Sequence, residues 1–131
     1  MTDRLRAGIV GAGFMGEVHA RAVRAAGGVV ARVAASTPER SAAAAERLGA
    51  EGFAESTEAL LAADDVDVVH VCTPNTLHLP VAEQALAAGR PVVCEKPLAT
   101  GNLPIVLSEL GNSAGAVGAA DMISDHVFSI P

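Results

Sequence analysis

The segment that most constrains the fold of this chain lies near its N-terminus, where an apolar run at residues 5–10 leads into Gly11-Ala12-Gly13-Phe14-Met15-Gly16. A strand, a tight glycine turn and a helix N-terminus in this order can hold a pyrophosphate, because free N–H groups and the positive end of the helix dipole face the anion. A lone Gly-x-Gly-x-x-Gly pattern is weak evidence. Here a helix-forming segment follows, and a second apolar run begins about 20 residues later, as dinucleotide binding requires. The alternative interpretation is a turn with a structural role only.

Each glycine of this segment has its own expected role. Gly11 permits the turn, Gly13 lets a phosphate approach the backbone because it lacks a Cβ, and Gly16 allows the helix to pack close to the strand. The segment therefore predicts a site for a dinucleotide cofactor.

The composition suits a small domain in which helices pack closely on a sheet. Half of the 131 residues are apolar, yet there is no Trp or Tyr and there are only three Phe, so the core must consist of Ala, Val, Leu and Ile. The net charge of −6 argues against a nucleic-acid partner, which would favour a basic surface. No apolar run is long enough to span a membrane, so we expect no membrane association.

The two cysteines, Cys72 and Cys94, match no zinc-binding spacing and are too few for a disulfide scaffold. We expect both to be small buried residues, in a protein of the reducing cytoplasm. No group of residues predicts a metal site. The adjacent acids Asp64 and Asp65 are typical of a solvated loop without partners.

Apolar runs rich in β-branched residues alternate with segments of helical composition, and this alternation predicts an α/β fold with a parallel sheet. The predicted strands are residues 5–10, 29–35, 52–54, 66–72 and 90–94. In the first predicted helix, residues 14–26, the side chains expected on the buried face are Met15, Val18, Ala22 and Ala25. His19 lies off that face, and we expect a surface or capping role rather than contact with a cofactor. His70, within a predicted strand, is interpreted as a core or edge histidine rather than a ligand.

The end of the second predicted strand bears on the choice of cofactor. An Asp or Glu there would hold the ribose hydroxyls of NAD, whereas this chain has Ser36 and Thr37, followed by Arg40. Two hydroxyls and an arginine favour the 2′-phosphate of NADP. Helix capping is the alternative, with Thr37 as N-cap before Pro38, or with Ser36 and Glu39 as a capping box.

Two polar segments follow the fourth and fifth predicted strands. They are Thr73-Pro74-Asn75 and Glu95-Lys96-Pro97. The carboxyl ends of parallel strands meet at one edge of the sheet, where open α/β sheets bind ligands, so we expect the two segments to lie together. A lysine beside a nicotinamide could hydrogen-bond a substrate oxygen and stabilise the charge that develops during hydride transfer. The alternative is a Glu-Lys pair at the surface.

Three blocks of sequence together resemble the Gfo/Idh/MocA family of NAD(P)-dependent oxidoreductases. The blocks are residues 8–20, residues 72–78 and Glu95-Lys96-Pro97-Leu98-Ala99, in the family's order and spacing. The resemblance covers roughly residues 4–100. It implies a Rossmann domain followed by a larger α+β domain that supplies most substrate contacts, and activity on sugars, inositols and related polyols.

The resemblance also implies roles for individual residues. It implies a pyrophosphate site lined by Gly11, Ala12, Gly13, Phe14, Met15 and Gly16. The residues that it places along the nicotinamide half of the cofactor are Thr73, Pro74, Asn75 and His78. Ser36 and Thr37 fall where the family contacts the adenosine ribose. Glu95 lies beside the cofactor, and Lys96 corresponds to the family's catalytic lysine.

Residues 1–100 are expected to form the NAD(P)-binding domain, whereas residues 101–131 depart from the family's pattern and form a divergent tail. Residues 115–126 resemble a substrate-domain segment in which a histidine serves as proton donor or acceptor. Here Asp125 occupies that position and His126 comes one residue late, which on a helix rotates the side chain by about 100°. The tail is either a remnant of that domain or an unrelated sequence.

The sequence thus predicts a truncated member of this family. We expect an open parallel Rossmann sheet with strand order 3-2-1-4-5, helices on both faces and an irregular C-terminal tail. The expected cofactor is NAD(P), with a preference for NADP, and dehydrogenase activity is expected to be weak or absent without a domain that holds a small polyol. The fifth strand would be an edge whose free N–H and C=O groups favour a homo-oligomer. The alternatives are a non-catalytic nucleotide-binding or interaction module and a gene fragment without function.

Overall fold

In a computed structural model, residues 3–98 are described, and the predicted tail at 101–131 lies outside them. The strands are β1 (Arg6–Val10), β2 (Val29–Ala34), β3 (Gly52–Phe53), β4 (Val68–Val71) and β5 (Val92–Cys94). They form one sheet in the order β3-β2-β1-β4-β5, and every strand pair is parallel. The predicted strand order is therefore confirmed.

Four α-helices connect these strands. They are α1 (Phe14–Ala25), α2 (Pro38–Leu48), α3 (Thr57–Leu61) and α4 (His78–Ala87), and a 3-10 turn at Asn75–Leu77 precedes α4. The strands are slightly shorter than predicted because ladder pairing, rather than apolar composition, sets their ends. None of the helices in the described part of the chain is long and apolar enough to cross a membrane.

Two apolar clusters, one on each face of the sheet, form the core. The first joins α1 and α2 to the sheet and includes Ile9 and Leu48, whereas the second joins α3 and α4 and includes Leu60 and Val69. The buried members of both clusters are Ala, Val, Leu, Ile and Cys, as the composition predicted. Small side chains let the helices approach the sheet closely, and each buried Val, Leu or Ile contributes about 1.5–3 kcal/mol.

Helix α1 presents a different face to the sheet from the one predicted. Its buried residues are Gly16, Ala20 and Val23, whereas Val18 from the predicted face is 39% exposed. Gly16 has no side chain, so the backbone of α1 can lie against the turn after β1. A pattern of apolar side chains gives no weight to such a glycine, and the prediction was wrong for this reason.

Helix α2 begins at a side-chain cap. The hydroxyl of Thr37 accepts a hydrogen bond from the Arg40 N–H at 3.2 Å, which confirms Thr37 as the N-cap. The predicted capping box of Ser36 and Glu39 is wrong, because Ser36 precedes the cap. The Ser36 hydroxyl instead accepts a hydrogen bond from Arg40 Nη1 at 3.1 Å.

Arginine side chains fix the segment between α3 and β4. Asp65 accepts a hydrogen bond from Arg32 Nε at 2.7 Å, and a guanidinium nitrogen of Arg6 lies 3.9 Å from the same carboxylate. The bond from Arg32 holds the pKa of Asp65 below its ordinary value. Asp65 is thus not the unpartnered surface acid that was predicted. Arg90 donates hydrogen bonds to the backbone carbonyls of Leu61, Ala63 and Val66.

Candidate functional site

The glycine turn between β1 and α1 is shaped by close backbone contacts. Gly11 has a φ of +105°, a conformation that glycine adopts readily, and a Cβ there would overlap the carbonyl of Cys72. A Cβ at Gly16 would overlap the carbonyl oxygen of Gly11. The Gly11 N–H donates to the carbonyl of Ala34 at 2.9 Å and so ties the turn to β2. Two of the three glycines are therefore required by the fold.

Gly13 is the exception, because a Cβ built there meets no atom within 4 Å. Gly13 is the N-cap of α1, and no side chain caps this helix. The first N–H groups of α1 therefore have no side-chain acceptor and lie at the positive end of the helix dipole. Open space, free donors and positive potential together fit an anion such as a pyrophosphate.

A groove of about 630 Å³ opens beside this turn, at the carboxyl ends of β1, β2 and β4. That volume is within the range of small-molecule sites. The predicted site residues that line the groove are Gly11, Ala12, Gly13, Ser36, Arg40, Thr73 and Pro74. Residues from three separate segments of the sequence thus meet in one groove.

Other predicted site residues do not line this groove. Phe14 is 79% exposed at the start of α1, Met15 packs against the first apolar cluster, and Gly16 is buried in the turn contact. Thr37 caps α2, and Asn75 is exposed on the 3-10 turn.

Two arginines on α2 bring positive charge to the groove. Arg40 lines its β2 end, next to Ser36. Arg47, about two helical turns later, also lines the groove and hydrogen-bonds the carbonyl oxygen of Ala12. Its guanidinium lies 3.8 Å from the Glu17 carboxylate. Arg47 was not among the predicted site residues, although its spacing from Arg40 is visible in the sequence.

Thr73, two residues after the end of β4, has a hydroxyl oxygen that is buried without a hydrogen-bond partner among the described residues. Buried polar groups in proteins are normally hydrogen-bonded, so a hydroxyl of this kind at a groove wall suits a polar group of a ligand. Together with the open space at Gly13 and the uncapped α1, it shows that the residues present fit a dinucleotide.

The two cysteines near this edge are buried free thiols, as predicted. Burial, with a smaller contribution from the Glu95 carboxylate, raises the pKa of Cys72 to about 12 and that of Cys94 to about 11. Both thiols are therefore protonated at neutral pH and are not nucleophiles. No group of three or more His, Cys, Asp or Glu within residues 3–98 could hold a metal ion.

Glu95 leaves β5 at the same edge, and its side chain contacts a pair of histidines. His19 Nε2 lies 2.6 Å from a Glu95 carboxylate oxygen, and His19 Nδ1 lies 2.9 Å from Nδ1 of His70 on β4. Burial, and secondarily the charge of His19, lowers the pKa of His70 to about 4, so His70 is neutral at pH 7. The interpretation of His70 as a core histidine is consistent with these contacts. The prediction of a surface or capping role for His19 is wrong, since its side chain is only 12% exposed.

His78 contacts the far side of the loop at residues 95–97. It is 1% exposed, with Nδ1 2.7 Å from the Pro97 carbonyl oxygen and Nε2 2.8 Å from the Thr73 carbonyl oxygen. Because each carbonyl only accepts, a ring nitrogen that carries a proton donates to the carbonyl beside it. His78 thus joins the loops after β4 and β5 from the interior. Lys96, between the two fixed neighbours, is exposed.

The sequence profile of the oxidoreductase family GFO_IDH_MocA, whose fold is an NAD-binding Rossmann fold, matches residues 5–110. The chain belongs to this family. The match confirms the resemblance drawn from the glycine turn, the segment after β4 and Glu95-Lys96-Pro97.

Proteins similar to this chain include an inositol dehydrogenase and a levoglucosan dehydrogenase. The chain is 43% identical over 101 residues to inositol 2-dehydrogenase of Corynebacterium glutamicum, covering 75% of this chain and 30% of that protein. Levoglucosan dehydrogenase in complex with NADH and levoglucosan superposes with a TM-score of 0.70 at 36% identity, covering 74% and 28% of the two chains. An NAD binding oxidoreductase from Klebsiella pneumoniae gives a TM-score of 0.72 at 32% identity, covering 94% and 32%. The chain thus spans about 30% of the length of the curated relatives it matches.

Proposed function

We propose that this Rossmann domain binds a nicotinamide dinucleotide along the carboxyl edge of its sheet. The observation that carries the proposal is the cradle at the N-terminus of α1, where Gly13 leaves open space and no side chain caps the helix. The pyrophosphate would lie in that cradle and the adenosine half in the groove beside Arg40. The nicotinamide half would extend toward Thr73 and Lys96.

Lys96 is our candidate catalytic residue. When bound, the dinucleotide supplies the hydride acceptor or donor, and the chain supplies binding, orientation and charge. The Lys96 ammonium is exposed beside a fixed Glu95 and can donate a hydrogen bond to a substrate oxygen. Such a bond would strengthen with negative charge on the substrate oxygen, and so would stabilise any such charge that develops during hydride transfer. The inositol and levoglucosan dehydrogenases similar to this chain support a sugar or polyol as substrate.

We assign the cofactor domain to residues 1–100 and leave the tail, 101–131, without a catalytic role. Residues 3–98 provide the cofactor cradle and one lysine, whereas orienting a polyol requires further contacts. The 131-residue chain is therefore expected to bind the cofactor with weak or no turnover. Steady oxidation of inositol by the pure chain with NAD or NADP would contradict this expectation.

We infer that NADPH binds more tightly than NADH, although both are accepted. No acidic side chain lies between β2 and α2, and the Arg40 guanidinium lies 3.1 Å from Ser36 Oγ on the groove wall. The Thr37 hydroxyl is used as a helix cap, so Arg40 and Ser36 remain to bind a 2′-phosphate. The NADH complex of levoglucosan dehydrogenase supports binding of the unphosphorylated cofactor as well.

Thermal unfolding of the pure chain with excess NADH, and separately with excess NADPH, tests the proposal. A ligand that binds only the folded state stabilises it by about 2.7 kcal/mol at one hundred times its dissociation constant. We expect both nucleotides to raise the melting temperature, and NADPH to raise it more. A cooperative transition that neither nucleotide shifts would show that the turn is retained for the fold alone.

Arg40→Ala tests the cofactor preference. The substitution removes a cation at the end of β2, so it should weaken NADPH at least tenfold while changing NADH little, measured by fluorescence titration. Thr37→Ala is the matched control on the same turn. It removes the helix cap and should lower the free energy of unfolding by about 1 kcal/mol without altering the ratio of the two affinities.

We further propose a homo-oligomer formed through the outer edge of β5, in the reducing cytoplasm. Within residues 3–98, β5 pairs on one side only, with β4, and an unpaired edge favours addition of another strand. The two free buried thiols support the compartment. Sedimentation that shows only monomer at high concentration would contradict the oligomer.

A further inference from the structure

A network of three polar side chains joins the loop of Lys96 to the interior of the domain. Glu95 comes from the loop after β5, His19 from α1 and His70 from β4, with contacts of 2.6 Å and 2.9 Å between successive members. The side chains of His19 and Glu95 are 12% and 26% exposed, so the network is largely shielded from solvent. The mechanism proposed above uses neither histidine.

The chemistry of Glu95 fixes the direction of its hydrogen bond. A carboxylate can only accept, so His19 Nε2 must carry a proton and donate. The contact between the two Nδ1 atoms needs one proton, which either ring can carry. Both contacts of His19 are then satisfied. A satisfied network in a shielded place holds its side chains in one arrangement.

His19 belongs to the same helix that forms the anion cradle. It lies in the second turn of α1, fewer than two turns from the uncapped N-terminus at Gly13. The contact between His19 and Glu95 spans 76 residues of sequence. One rigid helix therefore touches both the cradle and the residue that precedes Lys96.

We propose that His19 and His70 are positioning residues, which hold Glu95 and thereby keep Lys96 at a fixed distance from the N-terminus of α1. The inference rests on the proposed function, in which that helix end holds the cofactor and Lys96 meets the substrate. Hydride transfer requires close alignment of reacting groups, and small displacements lower its rate strongly. The network sets this alignment before a substrate binds.

Lys96 is the only lysine in the chain, which makes the test direct. Selective labelling of the full chain with ¹⁵N-lysine gives one backbone amide resonance, and its relaxation reports the order of this loop. His19→Leu removes both hydrogen bonds of the imidazole. His19→Gln is the matched control, because its amide nitrogen places a donor near the position of Nε2 and can retain the bond to Glu95.

The Lys96 amide should be rigid in the native protein and in His19→Gln, with an order parameter of about 0.85. In His19→Leu the order parameter should fall to about 0.6. A purely structural role for His19 would lower the melting temperature and leave the order parameter of the folded protein unchanged. An unchanged value in folded His19→Leu, or an equal loss in His19→Gln, would overturn the proposal.

Two further measurements keep the test decisive. Should His19→Leu fail to fold, long-range ¹⁵N–¹H correlation spectra of the native chain must show a proton on His19 Nε2, and its absence would overturn the proposal. The order parameters are measured without cofactor, so they test only the positioning role of His19 and do not depend on cofactor binding. A melting temperature that NADH and NADPH both leave unchanged would reject the proposed function instead.

Discussion

The glycine turn after β1 and the loop that carries Lys96 lie at the same edge of the sheet, yet they use their polar groups in opposite ways. In the turn, α1 has no side-chain cap and Gly13 faces open space. In the loop, Glu95 accepts a hydrogen bond from His19, and the Pro97 carbonyl lies 2.7 Å from a ring nitrogen of His78. The turn leaves donors free, whereas the loop is bonded on both sides of its lysine.

Under the proposed function, this difference corresponds to two separate requirements of hydride transfer. An element that binds an anion must keep N–H groups available, and free donors identify it. An element that carries a reacting side chain must instead be held in place, because the reaction depends on alignment. Internal hydrogen bonds around an exposed lysine identify the second kind of element. The following tests act on one element at a time.

Gly16→Ala should have the largest effect. The added Cβ would overlap the carbonyl oxygen of Gly11, so we expect the free energy of unfolding to fall by about 3 kcal/mol in chemical denaturation. Gly13→Ala is the control in the same turn. Its Cβ meets no neighbouring atom, and the loss should stay below about 0.5 kcal/mol. Equal losses of unfolding free energy in the two variants would mean that the fold does not need Gly16 more than it needs Gly13.

Lowering the pH should destabilise the domain through His70 on β4, which contacts the histidine that holds Glu95. The pKa of His70 is lowered from 6.5 to about 4 in the folded protein, chiefly by burial. Between these values the unfolded chain binds a proton that the folded chain does not, so stability falls as pH decreases. At about pH 5 the loss from this residue should be about 2 kcal/mol. His70→Asn does not titrate, and urea unfolding at neutral and acidic pH should show a correspondingly smaller loss. An identical pH dependence in both proteins would contradict the assignment.

The smallest effect concerns cofactor affinity. Gly13→Ala should weaken NADH binding about tenfold, or 1.4 kcal/mol, because the methyl group occupies the space where a phosphate approaches the backbone. Fluorescence titration of NADH measures the change. His19→Gln leaves the cradle untouched and should keep the affinity within about twofold, a difference below 0.5 kcal/mol. If Gly13→Ala binds NADH with unchanged affinity, the open space at Gly13 is not used for binding and the turn does not differ from the loop in this respect.

Most of the fold could be predicted because its information is local. Strands of a parallel sheet are buried on both faces and are visible as nearly continuous apolar runs, such as residues 66–72 with only Asp67 and His70 as exceptions. The cap at Thr37 could be recognised from the proline that follows it. The buried face of α1 could not be recognised from the sequence, because Gly16 contributes to packing through the absence of a side chain.

The site could be predicted only where its residues directly follow strands. Gly11, Gly13 and Thr73 meet in the groove because strand ends converge at one edge of the sheet. The contact of Arg47 with Ala12 spans 35 residues, and that of His19 with Glu95 spans 76. Such contacts depend on how helices rotate against the sheet, and periodicity within one segment contains no information about them.

The central position of β1 has a consequence for the order in which the domain is built. Ala7 pairs with Val68, which follows it by 61 residues, and Gly11 packs against the carbonyl of Cys72 just beyond β4. Pairings between such distant segments form slowly, because a long loop must close first. During synthesis the glycine turn therefore leaves the ribosome well before the wall against which it packs. A nascent chain that ends before β4 has the complete glycine motif without a cofactor site, and nucleotide binding can stabilise only the finished domain.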